Sequence, residues 1–315
     1  MSNLIRRPDL EAQSVSYPEY LTDRIFPFTP APKDAGKIYY QKYHADVSAQ
    51  YGRNTATVAG INTTTVASSK ATYDCKEVRG RVRMSYDQIP GFSTKEAADL
   101  YMGRLAKREF YNKLEGLTAT ALLDNETYTD ATSDPIAALD RGVSLLRDKG
   151  IGRVALVVSN STYVALKNTQ TVIDRMRNTG VAIYDLEARD ISTKQMAAIL
   201  RTDEVLVGKD NVWTAGVTNK GRGALVILPD EYTEPVEQVQ LGRTIYFEFD
   251  GLDSKFVMES FHGDIDDAEY IDAKGLVDQI VLNPELMATY QLVSATAEDS
   301  SSEAEESTSE ASASN

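Results

Sequence analysis

The residues that could carry covalent or metal chemistry are few and scattered. Two histidines, His44 and His262, and one cysteine, Cys75, serve a chain of 315 residues. No HExxH, CxxC, GxSxG or GxxxxGKS/T arrangement occurs, so the common zinc, redox, serine-nucleophile and phosphate-loop sites lack their residues. A nucleophilic Cys75 needs a base near it, and nothing beside it in sequence serves; a structural thiol is the plainer reading. "GIGRVA", residues 150–155, matches G-x-G-x-x-A. The dinucleotide fingerprint sets those glycines after a strand and before a helix, whereas here a helical pattern precedes them and a strand pattern follows. Gly150 then reads as a helix C-cap. "GDIDDAE", residues 263–269, offers Asp264, Asp266, Asp267 and Glu269. The calcium loop asks for another oxygen ligand at position 268 and then glycine, where this chain has Ala268 and Glu269, so a solvated turn is expected. "NKGRGA", residues 219–224, could cradle an anion or simply join two strands. The expectation is a chain with no catalytic, cofactor-binding or metal residues: a structural protein rather than an enzyme.

Bulk composition narrows the class further. Hydrophobic residues at 42% and charged residues at 25% are ordinary for a globular chain long enough for one elaborate domain or two. A formal charge of −14 disfavours a nucleic-acid binder, which needs clustered Lys and Arg. One cysteine excludes an internal disulfide framework and suits a reducing compartment. "MSNLIRRPDLEAQSVSY" lacks the apolar core of a signal peptide, and no run approaches the roughly 20 apolar residues of a membrane span. The expectation is a soluble protein made in the cytoplasm. Residues 296–315 hold six acidic residues, no basic one and no large apolar side chain. They cannot offset their ordering entropy by burial and read as a disordered acidic tail.

The elements that would position anything begin with "FPFTPAPKDAGKIYYQKYHAD", residues 26–46. Pro27, Pro30 and Pro32 disfavour helix, and Phe26, Phe28, Ile38, Tyr39, Tyr40 and Tyr43 make the stretch too apolar to stay in water. It is either a strap over its own domain or an arm on another subunit. In "DCKEVRGRVRMSY", Val78, Val82 and Met84 alternate with Arg79, Arg81 and Arg83, the period of a strand with one apolar and one basic face. With "GKIYYQKY" it suggests a long two-stranded excursion tipped by the Thr-rich residues 51–69. An arm of about 20 residues reaches roughly 60 Å and is barely stable alone; nothing within the loop covers its apolar positions. The basic face is either solvated or complementary to an acidic patch on a neighbour.

"STKEAADLYMGRLAKREFYNKLEGLTATALLDN" is the clearest helix, with Ser93 and Glu96 at capping-box spacing. Ala98, Met102, Ala106, Phe110, Leu114, Leu117 and Ala121 recur at threes and fours. Beyond it, helical and strand patterns alternate: "DPIAALDRGVSLLRDKG" capped by Asp134 with Pro135 inside it, "RVALVVS", a helix over "STYVALKNTQTVIDRMRNTG", "VAIYDLE" as a strand, and "STKQMAAILRTD" as a helix. "EVLVGK", "GALVILP" and "TIYFEF" complete an α/β unit over about 131–239. Further strands close the chain, giving an α+β class.

That order of arm, two-stranded loop, very long helix and α/β unit resembles the major capsid proteins of tailed double-stranded DNA phages, with the Hong Kong 97-like fold. "LTDRIFPFTPAPKDAGKIYY", "STKEAADLYMGRLAKREFYNKLEGLTATALL", "AALDRGVSLLRDKGIGRVALVVSNSTYVAL", "EVLVGKDNVWTAG" and "VDQIVLNPELMATY" carry the likeness. The resemblance implies an N-terminal arm (1–36), an extended loop (37–92), a peripheral domain with a spine helix (93–130 and 240–285), an apical domain (131–239 and 286–295) and the tail (296–315). It implies a shell of hexamers and pentamers around a DNA genome, no cofactor, no membrane, residence in the virion, and portal, scaffolding and decoration proteins as partners. With only some 20 residues before "LTDRIFPFTPAPKDAGKIYY", the resemblance implies that a scaffolding protein would be a separate chain or absent. Phe26, Phe28, Tyr39, Tyr40, Arg79, Arg81 and Arg83 become candidate subunit contacts. An encapsulin-type nanocompartment shell is the alternative within the same fold, and a small α/β enzyme the alternative outside it.

Overall fold

The computed structural model describes residues 5–11, 20–31, 36–43, 56–58, 61–63, 69–124, 127–149, 152–178, 191–213, 221–229, 238–248, 255–263 and 267–294. In chain order the first elements are β1 (Ile5–Arg6), α1 (Pro8–Glu11), α2 (Leu21–Ile25), β2 (Phe28–Pro30), β3 (Lys37–Tyr40), β4 (Ala56–Val58), β5 (Ile61–Thr63), β6 (Ser69–Thr72), β7 (Lys76–Ser85) and α3 (Lys95–Leu123). There follow β8 (Thr129–Asp130), α4 (Pro135–Arg147), β9 (Arg153–Ser159), α5 (Asn160–Lys167), α6 (Gln170–Asn178), α7 (Thr193–Leu200), β10 (Glu204–Gly208) and α8 (Asp210–Trp213). Strands β11 (Arg222–Leu228), β12 (Gly242–Tyr246), β13 (Val257–Gly263), β14 (Ala268–Val281) and β15 (Met287–Gln291) complete the order. His44, Gly150, the "VAIYDLE" segment, Asp264, Asp266 and the acidic tail lie outside the described residues. The chain divides into two compact units, 1–40 with 69–118 and 242–280, and 41–68 with 119–241 and 281–315.

In the first unit, alternation and helical period meet face to face. A six-stranded sheet runs β1-β13-β14-β12-β2, with β7 also paired to β14. Helix α3 is 29 residues long, about 44 Å at 1.5 Å per residue. It lays Ala98, Met102, Ala106, Phe110 and Leu114 against Met84, Met258, Ile271, Ala273 and Val277, with Val78 and Val82 packed at the margin. The contact is close enough that a Cβ on Gly80 of β7 would sit 2.2 Å from the Ala106 carbonyl oxygen. The apolar face of "VRGRVRM" is therefore covered by its own chain. The expected excursion is shorter: β3 pairs with β6, while β7 joins β14 over ten residues. A period of two specifies a strand and its faces, and β7's partner lies some 190 residues on.

Two details of α3 also shift. Its cap is Thr94, whose Oγ1 accepts from the Ala97 amide at 3.1 Å, one residue after the expected Ser93. The buried row turns after Leu114 to Thr118 and Leu122, leaving Leu117 exposed. Thr118 is tolerated inside because its hydroxyl is bonded: it donates to the Leu114 carbonyl, faces Thr22 Oγ1 at 2.8 Å and accepts from Gln279 Nε2.

Residues 20–30 are a strap over their own unit. β2 runs parallel to β12, Phe28 opposite Thr244 and Pro30 opposite Tyr246. The Leu21 amide donates to Glu115 Oε1 at 2.8 Å, and Tyr20 stacks on Tyr111 with centroids 4.5 Å apart. Residues 5–11, which the sequence pattern left unassigned, are docked as well. β1 extends the sheet beside β13, Leu10 is buried against Gly103 of α3, and Arg7 pairs with Asp99 at 2.8 Å.

The second unit holds a five-stranded sheet ordered β10-β9-β11-β15-β8. β9 and β10 are parallel, as a strand–helix–strand crossover requires, and β11 runs antiparallel between β9 and β15. Asp134 caps α4 through the Ala137 amide with Pro135 at the first turn, and Ile136, Leu139, Val143 and Leu146 face inward, as the sequence predicts. The expected single helix after β9 is two, α5 ending at Lys167 and α6 restarting at Gln170. Ser192 and Gln195 form the reciprocal capping box of α7. The last turn of α3 belongs to this unit, where Arg222 donates to the Leu123 carbonyl at 2.9 Å and Thr289 to that of Leu122. A cation at a helix C-terminus complements its dipole.

Candidate assembly surface

The seven predicted contact residues separate into three groups. Phe26 is fully buried in its own unit, its ring so close to Gly242 that a Cβ there would approach to 2.5 Å. It serves the chain's own core. Phe28 is half-buried, edge-on to Tyr246 with centroids 6.1 Å apart and under Lys255 Nζ at 3.9 Å. Tyr39 and Tyr40 are part-exposed on the β3–β6 ribbon, opposite Lys70 and Ser69, with Lys70 over the Tyr39 ring at 4.8 Å.

The three arginines lie on the sheet face opposite α3, as alternation requires, and two of them meet acidic residues within the same sheet. Asp272 stands across from Arg81 in register and is 1% exposed. Arg81 grips it with Nε and Nη2, both at 2.8 Å, and Arg79 reaches it at 3.3 Å. This two-point guanidinium–carboxylate geometry is the strong form of the pair. It holds the Arg81 guanidinium above its usual pKa, chiefly by the hydrogen bond to Asp272. Arg79 also bonds Glu77 at 2.6 Å, and Lys274 reaches the same carboxylate. Arg83 is exposed, opposite Tyr270 in register.

Sequence reasoning missed Asp272 and its neighbours Phe261 and Tyr270, whose rings stack 4.9 Å apart with Arg81 above Phe261. The signal was present in "AEYIDAKGLV", where Tyr270, Asp272 and Lys274 alternate with Ile271, Ala273 and Gly275. The resulting face is part-exposed, aromatic and charged with both signs.

Among the described residues no group of three His, Cys, Asp or Glu could hold a metal, and no helix is long and apolar enough to cross a membrane. His262 lies beside Tyr86, ring nitrogen to hydroxyl 3.1 Å. Asp267 has a positive φ of 44° in the turn between β13 and β14, where its carbonyl accepts from the Tyr86 amide. Cys75 donates to the Ile245 carbonyl at 3.7 Å. Burial, with Asp278 and Asp74 nearby, pushes its thiol up to about 11 from 9.0. At pH 8 it should carry roughly a hundredth of the thiolate of an ordinary cysteine. Alkylation by iodoacetamide is expected to be about a hundredfold slower than that of a free thiol; reaction at the free-thiol rate would contradict this placement.

No protein-family model matches the sequence, and no curated protein matches it. Solved structures do match in fold. A phage-related protein from Bordetella bronchiseptica RB50 aligns over 91% of this chain and 97% of its own, with a TM-score of 0.62 at 14% identity. The capsid of cyanophage P-SCSP1u aligns over 90% and 91%, with a TM-score of 0.50 at 12% identity. An encapsulin from Synechococcus elongatus PCC 7942 matches at 0.49 and 11% identity, too distant to carry an argument. The chain thus has the mixed α+β fold seen in the cyanophage capsid and in the Bordetella phage-related protein.

Proposed function

We propose that this chain is a major capsid protein, a structural subunit that self-assembles into the icosahedral shell of a tailed phage and encloses its double-stranded DNA. The observation that carries the reading is a fold shared along nine-tenths of the chain with a phage capsid. In this reading the unit built on α3 and the six-stranded sheet is the peripheral domain with its spine helix, and the five-stranded unit is the apical domain. The extended loop is the stretch from β3 to β6, shorter than the interval 37–92 because β7 belongs to a sheet core. The shell consists of hexamers and pentamers, its partners are portal, scaffolding and decoration proteins, and its place is the virion. A net charge of −14 lets such a shell hold DNA without gripping it.

Particles purified from cells producing the complete set of neighbouring structural proteins should protect genome-length DNA from nuclease. Particles that enclose a protein cargo and no DNA would instead identify a nanocompartment shell.

A further inference from the structure

In the second unit, Asn283 sits 1% exposed at the start of the Pro284–Leu286 turn, and its side chain is bonded at each end. Oδ1 accepts from the Tyr43 amide at 2.7 Å. Nδ2 donates to the Gln240 carbonyl at 2.7 Å and the Gln41 carbonyl at 3.2 Å. Its own amide and that of Leu282 donate to the Leu241 carbonyl at 3.1 and 2.8 Å. Lys149 closes the arrangement from α4's end, donating to the Glu285 carbonyl with its ammonium 5.0 Å from the Tyr43 ring centroid. Three backbone positions distant in sequence, 41–43, 240–241 and 283–285, meet on one amide.

The chemistry selects asparagine. One acceptor faces an N–H and two donors face carbonyls, so aspartate would oppose two carbonyl oxygens with a carboxylate, and an apolar side chain would leave three backbone groups without this partner. Pro284 adds chemical durability. Asparagine ages to aspartate when the next residue's peptide nitrogen attacks the side-chain amide, and proline has no N–H with which to do so.

We propose that Asn283 is the positioning residue for the root of the extended loop: it fixes the backbone of Gln41–Tyr43, and closure of the shell depends on that fixing. This rests on the shell reading above. The clasp joins the loop root to β12's approach and to the turn before β15, all within the second unit.

The test is Asn283→Asp in the full chain, read by amide hydrogen exchange of the unassembled subunit and by electron microscopy of the assembled product. Exchange at Tyr43 should quicken at least tenfold while that of the β9 and β11 amides stays unchanged, and closed shells should give way to small oligomers or open sheets. Should Asn283→Asp fail to fold, Asn283→Ser adds no charge, keeps the Tyr43 amide and should give the same two readouts. Unchanged exchange at Tyr43, or closed shells of normal diameter and yield despite faster exchange, would overturn the proposal. A wild-type chain that forms no shells would overturn the shell reading by itself, and the exchange result would still decide whether Asn283 holds Tyr43.

Discussion

Changing Arg79 and Arg81 together to alanine is expected to destabilise the six-stranded unit itself by about 3–5 kcal/mol, the usual cost of removing the partners of a buried charge. Asp272 is the reason. Its carboxylate is almost inaccessible, it stands in the centre of the sheet face, and both guanidiniums that reach it come from β7. Arg81 alone should cost less, because Arg79 can remain at 3.3 Å. Adding Asp272→Asn to the double variant should recover much of the loss by removing the charge left unpaired. Chemical denaturation of the three variants measures this. If the double variant is as stable as the parent, the pair is incidental and the arginines are free to serve a neighbour, one of the two readings the sequence left open.

A second large effect is expected at Gly80. A methyl group there would stand 2.2 Å from the Ala106 oxygen and 2.5 Å from the Phe110 nitrogen. Both are helix backbone, which cannot rotate aside as a side chain can. Gly80→Ala must lift α3 off β7, opening the core around Phe110 while overpacking at one point. The cost should reach the upper end of overpacking penalties, about 3 kcal/mol, and lower the thermal midpoint by roughly 10 °C. Gly91→Ala is the control, since nothing lies within 4 Å of a Cβ there. Equal midpoints for the two variants would mean that the helix does not rest on the strand as described.

What could be read from the sequence follows a physical division. Local signals were legible. Asp134 with Pro135 marks a helix start because cap and first turn lie within four residues, and "RVALVVS" reads as a buried strand because its whole composition says so. The row from Ala98 to Leu114 shows itself because burial on one side repeats every third or fourth position. Pairings distant in sequence were not legible. The alternation in β7 declared two faces but not that β14 would supply its partner, nor that Asp272 would pair with Arg79 and Arg81. Phe26 could be seen as too apolar for water, yet whether its own chain or another covers it is decided by Gly242, more than 200 residues away. Residues 5–11 carry one large apolar anchor, Leu10, too little for periodicity to register. Asn283 gives no signal at all, because its role is defined by three backbone groups and not by side-chain type around it.

The claim that joins these observations is that the chain is a shell subunit, and electron microscopy of the purified full-length protein tests it most directly. The account predicts hollow particles of uniform diameter with icosahedral symmetry, coexisting with free subunits or capsomers and sedimenting far ahead of a 34.7 kDa monomer. A protein that stays monomeric at every concentration and salt tried, and also when produced together with the scaffolding and portal proteins proposed as its partners, would contradict it.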